Sequence, residues 1–362
     1  MIVHEQTKDS EFVQALYNEY PYPKPFIEQE EIPCLGDNSI REKIRERIEK
    51  IFKRDREWFI ERHGIRELIQ MPQKLRILDA GCGTGRNTVF FAKLFPDSEI
   101  HAYDITDASL FLLQKNLEIC GIQNVTVEKK DLFAGDIPEN QFDHIFSLGV
   151  IHHTPDPKVT LKNLGIGLKK GGSATLFVYN RWGRTNEILG NRLTLLLSHN
   201  DPKLKKEIIE KLGLDRKKVS LRSSLWEMTQ KKNSGWIEQC LPPLIYCALK
   251  RFYLRLKNPN KKIPNEKPSS FNSNWDAFAH PCVHNLDVDS IFEMAHFGGL
   301  ELRELWFDGS RNEPTSLLKK TLQQHGLNTA IDTSRFSFQD ILRICECLIR
   351  PRKMYFRVTK NL

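Results

Sequence analysis

Between residues 74 and 180 short apolar runs alternate with stretches of helical periodicity. LRILDA (75–80) is a continuous apolar run ending at glycines, the pattern of a buried strand. GRNTVFFAKLF (85–95) spaces its apolar residues as a helix and is closed by Pro96. EIHAYDI (99–105) predicts a second strand, and TDASLFLLQKNLEICG (106–121) a helix with a Thr or Asp cap and a terminal glycine. NVTVEKKD (124–131) and FDHIFSLG (142–149) read as the third and fourth strands. PKVTLKNLGIGL (157–168) predicts a helix with a KKGG turn after it, and SATLFVYN (173–180) the fifth strand. Five strands with helices between them imply a parallel sheet covered on both faces.

The pattern breaks after residue 180. Residues 181–280 read as a helical insertion, with one helix near WIEQCLPPLIYCALKRFYLRLK (236–257) and a polar Pro- and Lys-rich linker at 257–270. The α/β pattern returns with a helix at 287–299, a strand at 300–307, a helical excursion through 311–350 and a last strand at 353–360. Residues 1–73 are expected to form a mostly helical cap, with one long charged helix from about Ser39 to Arg62. Four segments follow: the cap (1–73), the first part of the sheet (74–180), the insertion (181–280) between strands five and six, and the completion of the sheet (281–362).

The stretch LDAGCGTGRNT (78–88) leaves the first strand and opens a helix. Its glycines let the backbone turn tightly and let a ligand come close, and a helix start supplies unpaired N–H groups. A phosphate loop needs Gly-Lys-Ser/Thr at its end, whereas Gly85 is followed by Arg86 and Asn87. The dinucleotide fingerprint needs two residues between its second and third glycines, and here only Thr84 separates Gly83 from Gly85. Asp79 at the loop entrance disfavours a pyrophosphate and suits a ligand with a cationic group. Asp104 ends the second strand, where an acid accepts hydrogen bonds from ribose hydroxyls. An adenosine joined to an amino-acid tail without phosphate fits both acids, and S-adenosylmethionine is such a molecule.

With D-x-G-x-G-x-G after a strand, the downstream acid, FDHIFSLGVIHHTPDP and LKKGG, the chain resembles the class I S-adenosylmethionine-dependent methyltransferases, most closely their small-molecule subset. The resemblance covers residues 74–180 closely and the late strands loosely. It implies a Rossmann-like, seven-stranded, mostly parallel sheet whose last strand is antiparallel and inserted near the edge. It also implies that Asp79, Gly81, Cys82, Gly83 and Gly85 wrap the methionine part and that Asp104 holds the ribose. Asp131 and Leu132 match the adenine-binding pair, Leu148 and Gly149 the backbone beside the reactive methyl, and Ile105 either packs on the adenine or belongs to the core.

Methyl transfer from a sulfonium needs a nucleophile held in line, and a general base only where that nucleophile must lose a proton. His152 and His153, just after the fourth strand, are the catalytic candidates. The alternative is that one caps a loop and the other packs; a metal site is not expected, because no third ligand stands at convincing spacing. In YNEYPYPKPF (17–26), Tyr17, Tyr20 and Tyr22 alternate with prolines, and similar N-terminal stretches in such enzymes fold over the cofactor as a lid. A turn pinned to the surface by its aromatics is the competing reading. Tyr179, Asn180 and Arg181 leave strand five at the same sheet edge, and Asp276, His280 and His284 follow the linker; both groups are candidates for substrate contact.

Charge separates two ideas about the acceptor. The chain carries +8 overall, but residues 181–275 hold 20 Lys and Arg against 8 Asp and Glu, leaving the rest mildly acidic. A small-molecule or lipid-like acceptor is the first reading, with the insertion 181–280 covering the substrate and its lysines facing water. A basic insertion carrying Trp226, Trp236, Phe252 and Tyr253 also suits RNA or protein as acceptor, or an anionic membrane surface. A protein that binds S-adenosylmethionine without turnover is the third reading. An Asn/Asp-Pro-Pro-Tyr motif after strand four, which would point to amino-group methylation of a base or glutamine, is replaced by SLGV, and Pro281-Cys282 lacks the context of a cytosine C5 nucleophile. The eight cysteines show no CxxC pairing, MIVHEQTKDSEF turns polar at once, and no long apolar run exists, so a cytoplasmic chain with reduced thiols and no transmembrane segment is expected.

Overall fold

In the computed structural model the described backbone comprises residues 2–184, 280, 282–324 and 333–361, with isolated positions between 187 and 209. The chain divides into two compact units, Met1–Thr185 with His280–Leu362, and Asn186–Ala279. The sheet and its covering helices belong to the first. The expected helix at 236–257, the linker at 257–270, Asp276 and Pro281 lie outside the described residues.

A seven-stranded sheet forms the centre. Its strands are β1 (Arg76–Ala80), β2 (Glu99–Asp104), β3 (Val125–Lys129), β4 (Phe142–Leu148), β5 (Leu168–Tyr179), β6 (Leu300–Phe307) and β7 (Lys353–Lys360). The order across the sheet is β3-β2-β1-β4-β5-β7-β6. The five strands of the first half pair in parallel, and β7 runs antiparallel between β5 and β6. This is the Rossmann-like architecture that the resemblance implies.

The helices are α1 (Ile2–Glu19), α2 (Asn38–His63), α3 (Arg66–Ile69), α4 (Arg86–Leu94), α5 (Asp107–Cys120), α6 (Pro157–Gly167), α7 (Val288–Phe297), α8 (Pro314–Gln324) and α9 (Phe338–Ile349). Alternation along β1 sends Ile77 to one face and Leu78 to the other. On the first face Ile77, Ala102 and Phe146 pack under α4, α5 and α2, with Phe91 stacked on Phe146 at 4.1 Å. On the second face Leu78, Ile145 and Leu176 pack under α6, α7 and α9. Two covered faces explain why the central strands are apolar throughout.

The long charged helix α2 is amphipathic. Asp37 accepts from the Ser39 N–H at 2.7 Å and so caps its start, while Gly64, at φ 61°, ends it. Ile44, Ile48, Phe59 and Ile60 are its buried stripe. Its last turn reaches the far end of the sheet, where the Arg62 Nε–H donates to the Tyr355 hydroxyl at 2.6 Å.

Two local expectations change. The KKGG segment is not a free turn: helix α6 stops at Gly167, and β5 already begins at Leu168, which pairs with Phe142 before a register shift. Between β3 and β4 no helix forms; residues 130–141 make the crossover as turns. No helix among the described residues is long and apolar enough to cross a membrane.

Candidate active site

The chain runs outward from β1 to β2 and β3, then returns to the other side of β1 as β4. That reversal opens a crevice beyond the carboxyl ends of β1 and β4, where ligands bind in such sheets. A cavity of about 390 Å³ occupies it, a volume within the range of small-molecule sites. One wall is the glycine loop.

Two of its glycines are there for space. Gly81 has φ 80°, and a Cβ there would stand 2.5 Å from the Val150 methyl carbons. Gly83 has φ 52°, and a Cβ there would run into the carbonyl oxygen of Tyr22. The N-terminal segment therefore lies directly on the loop. Tyr22 O accepts from the Thr84 N–H at 3.2 Å, and Pro23 O accepts from the Thr84 hydroxyl at 2.7 Å. Helix α1 is tied to the neighbouring strand end, where the Gln14 amide donates to Ile105 O at 3.1 Å. Tyr17, Tyr22 and Pro23 line the cavity, whereas Tyr20 does not.

Nine residues assigned to the cofactor line the cavity: Gly81, Cys82, Gly83, Asp104, Ile105, Asp131, Leu132, Leu148 and Gly149. Asp104 accepts from the Gly83 N–H at 2.8 Å and from the Thr106 N–H and hydroxyl at 3.0 and 2.6 Å. Burial raises its pKa against the pull of those hydrogen bonds. Asp131 turns one oxygen to the Phe133 N–H at 2.8 Å, holding the loop after β3 in place.

Asp79 and Gly85 stand apart from the wall. The Asp79 carboxyl lies beneath the loop, 1% exposed, and accepts from the Thr88 hydroxyl at 2.7 Å. Burial pushes its pKa up to about 7. Alternation along β1 and the first turn of α4 put it there, so direct contact with a cationic ligand group is not what this geometry offers. Gly85 caps α4 in a left-handed conformation and faces Leu113.

The histidines after β4 divide in the same way. His153 lines the cavity, with Nδ1 3.1 Å from Cys282 O and its ring stacked on His280 at 3.8 Å. His152 does not reach the cavity: it is fully buried, packs at 4.1 Å on Tyr179, and among the described residues neither ring nitrogen has a hydrogen-bond partner. Desolvation pushes its pKa well down, so it is neutral. His280 is fully buried and does not line the cavity; it packs 5.4 Å from Tyr17, and the His284 N–H donates to His152 O at 2.8 Å.

Tyr179 and Asn180 point elsewhere. Arg184 lies 3.4 Å over the Tyr179 ring. The Asn180 amide donates to Glu346 Oε1, a buried carboxyl that also accepts from the Val288 N–H at 3.1 Å. That clamp ties β5 to α7 and α9, and burial raises the Glu346 pKa to about 7. The far wall of the cavity was not expected from the sequence. Trp58 and Arg62 come from the end of α2, Phe177 from β5, and Lys353 and Tyr355 from β7.

Residues 78–174 match the family described as a methyltransferase domain. They are a methyltransferase domain of the class I, S-adenosylmethionine-dependent family. An uncharacterized protein of Synechococcus sp. is 39% identical over 111 residues, 30% of this chain and 26% of that protein. The tRNA U34 carboxymethyltransferase of Nautilia profundicola is 36% identical over 126 residues, 34% of this chain and 40% of that enzyme. The matched stretch thus spans well under half the length of either relative. Among solved structures, PKMT2 from Rickettsia typhi superposes with a TM-score of 0.52 at 15% identity, over 83% of this chain and 52% of that one, a likeness of fold. The methyltransferase domain spans β1 to the middle of β5 and so contains the glycine loop and every cavity residue assigned to the cofactor.

Proposed function

We propose that this protein transfers a methyl group from S-adenosylmethionine to a small-molecule or lipid-like acceptor. One observation carries the reading: a single cavity at the sheet reversal is lined at one end by the glycine loop, Asp104 and Asp131, and at the other by aromatic side chains. The residues present suit the group. The glycines let the loop fold tightly under Val150 and the N-terminal segment at the cavity wall, and two carboxylates at successive strand ends accept from hydroxyls and an amine. When bound, S-adenosylmethionine supplies a methyl group on a positively charged sulfur.

In this reading Gly81, Cys82 and Gly83 border the amino-acid end, Asp104 the ribose, and Asp131 with Leu132 the base, while Ile105 adds apolar wall. Asp79 and Gly85 shape the loop from behind. Tyr22 and Pro23 cover it and exclude water. Leu148 and Gly149 face the acceptor side, and His153 is the group placed to accept a proton where the acceptor must lose one.

Incubation of the full chain with methyl-labelled S-adenosylmethionine and a metabolite extract tests the proposal. Label in low-mass products, insensitive to salt between 50 and 300 mM (about a sixfold range), is expected. The strongly basic segment 181–275 favours a second reading, methylation of RNA or protein. Nuclease- or protease-sensitive label that falls steeply with salt would select that reading instead.

A further inference from the structure

The acceptor end of the cavity has its own charge. Gly149 ends β4, and the Phe177 ring lies against it: a Cβ at Gly149 would stand 3.3 Å from that ring. Tyr355 stacks on Phe177 at 4.9 Å with their planes 19° apart, and Trp306 backs Tyr355 at 5.7 Å. A flat aromatic floor thus begins beside Gly149 and leads away from the glycine loop. Two cations stand on that floor. The Lys353 ammonium lies 5.1 Å over Phe177. The Arg62 guanidinium lies 5.3 Å over Tyr355 and 4.6 Å over Trp58, and its Nε–H donates to the Tyr355 hydroxyl.

Neither cation has a carboxylate partner among the described residues. The cavity's carboxylate at this end, Asp55, is engaged by Arg54 at 2.6 Å. The charged groups facing Lys353 are mostly of its own sign, Arg62, Arg184 and Arg352, with Asp308 alone opposing them. Asp308 itself is turned to the backbone N–H groups of Arg352 and Lys353, at 2.9 and 3.0 Å. Uncompensated positive charge on an aromatic wall is costly to bury and is relieved by an anion.

We infer that the acceptor carries an anionic group, carboxylate or phosphate, on a flat apolar body: the body lies on Phe177 and Tyr355, and Lys353 and Arg62 hold the anion. This deepens the proposed methyl transfer by naming the acceptor's class. It also places the acceptor's charge at the end of the cavity away from Asp104 and Asp131, so the two carboxylates do not repel it. Burial lowers the Lys353 pKa to about 8, so the ammonium is still mostly charged at neutral pH.

The test uses the full chain and matched probes: 4-hydroxybenzoate against 4-hydroxybenzamide, and phenyl phosphate against phenol. Each is titrated by calorimetry with and without S-adenosylhomocysteine. The anionic member of each pair should bind roughly tenfold tighter or more. Lys353→Met and Arg62→Met should each shrink that preference severalfold, and the double variant should abolish it, with S-adenosylhomocysteine affinity unchanged. Lys353→Gln and Arg62→Gln serve where the methionine variants fail to fold. The ratio of carboxylate to phosphate binding tells which anion the site takes. Equal binding of charged and neutral members, no binding of any probe, or a preference that survives the double variant would overturn the inference. Failure of S-adenosylhomocysteine to bind would instead count against the methyl-transfer reading, because the charge preference is measured separately from it.

Discussion

Replacing Asp79 with asparagine tests the electrostatics under the glycine loop. The carboxyl is buried, and desolvation, aided by the charge of Asp104 and opposed by the Thr88 hydrogen bond, raises its pKa from 3.8 to about 7. A carboxyl whose pKa is higher folded than unfolded costs stability as pH rises. Below about pH 4 it is neutral in both states and costs nothing. Between about pH 4 and 7 the unfolded chain ionises while the folded one stays protonated, and above about pH 7 the cost is complete. At roughly 1.4 kcal/mol per pKa unit, a rise of about three units amounts to about 4 kcal/mol at pH 8, of which some 2–3 kcal/mol accrues above pH 5. Asparagine cannot ionise and still offers an oxygen to the Thr88 hydroxyl. Urea denaturation at pH 5, 6, 7 and 8, followed by fluorescence, should therefore show the variant gaining on the wild type by about 2–3 kcal/mol across that range. A difference that stays constant or shrinks with rising pH would refute the reasoning.

Two further predictions concern packing. Gly83→Ala forces a side chain against the Tyr22 carbonyl and 3.0 Å from Pro23 Cδ, so the N-terminal segment must lift. Limited proteolysis within residues 10–30 should speed up and S-adenosylhomocysteine affinity should drop by about tenfold, the equivalent of about 1.4 kcal/mol and within the ~1–3 kcal/mol that such strain costs; unchanged proteolysis would show that the segment is not seated on the loop. Phe91→Ala removes a fully buried ring stacked on Phe146 and should destabilise the protein by roughly 3–5 kcal/mol in the same urea assay.

The sheet was legible because strands buried on both faces must be apolar runs, and because 78–88 could only be a glycine turn between a strand and a helix. The strand-end carboxylates Asp104 and Asp131 were legible for the same reason: the chain has to leave each strand at the crevice. Pairing hid the true start of β5, since Leu168 is extended only because Phe142 lies opposite. Alternation hid the placement of Asp79, whose role the loop motif suggested but whose side the pleat decides. The His152–His153 pair looked equivalent in sequence, and a single turn of 3₁₀ helix sends one ring to the cavity and the other into the core. The acceptor wall had no local signal. Arg62 reads as one more charge on a solvated helix and Lys353 as the polar start of the last strand, until a contact across 293 positions brings Arg62 to Tyr355.

The central claim is that the crevice between β1 and β4 holds S-adenosylmethionine, with Asp104 as its key carboxylate. Calorimetric titration of the full chain with S-adenosylmethionine and S-adenosylhomocysteine, beside Asp104→Ala, tests it most directly. Saturable micromolar binding that the variant weakens by about tenfold to a hundredfold, the loss of charged hydrogen bonds, is the predicted result. No binding by the folded protein, or equal binding by the variant, would contradict it.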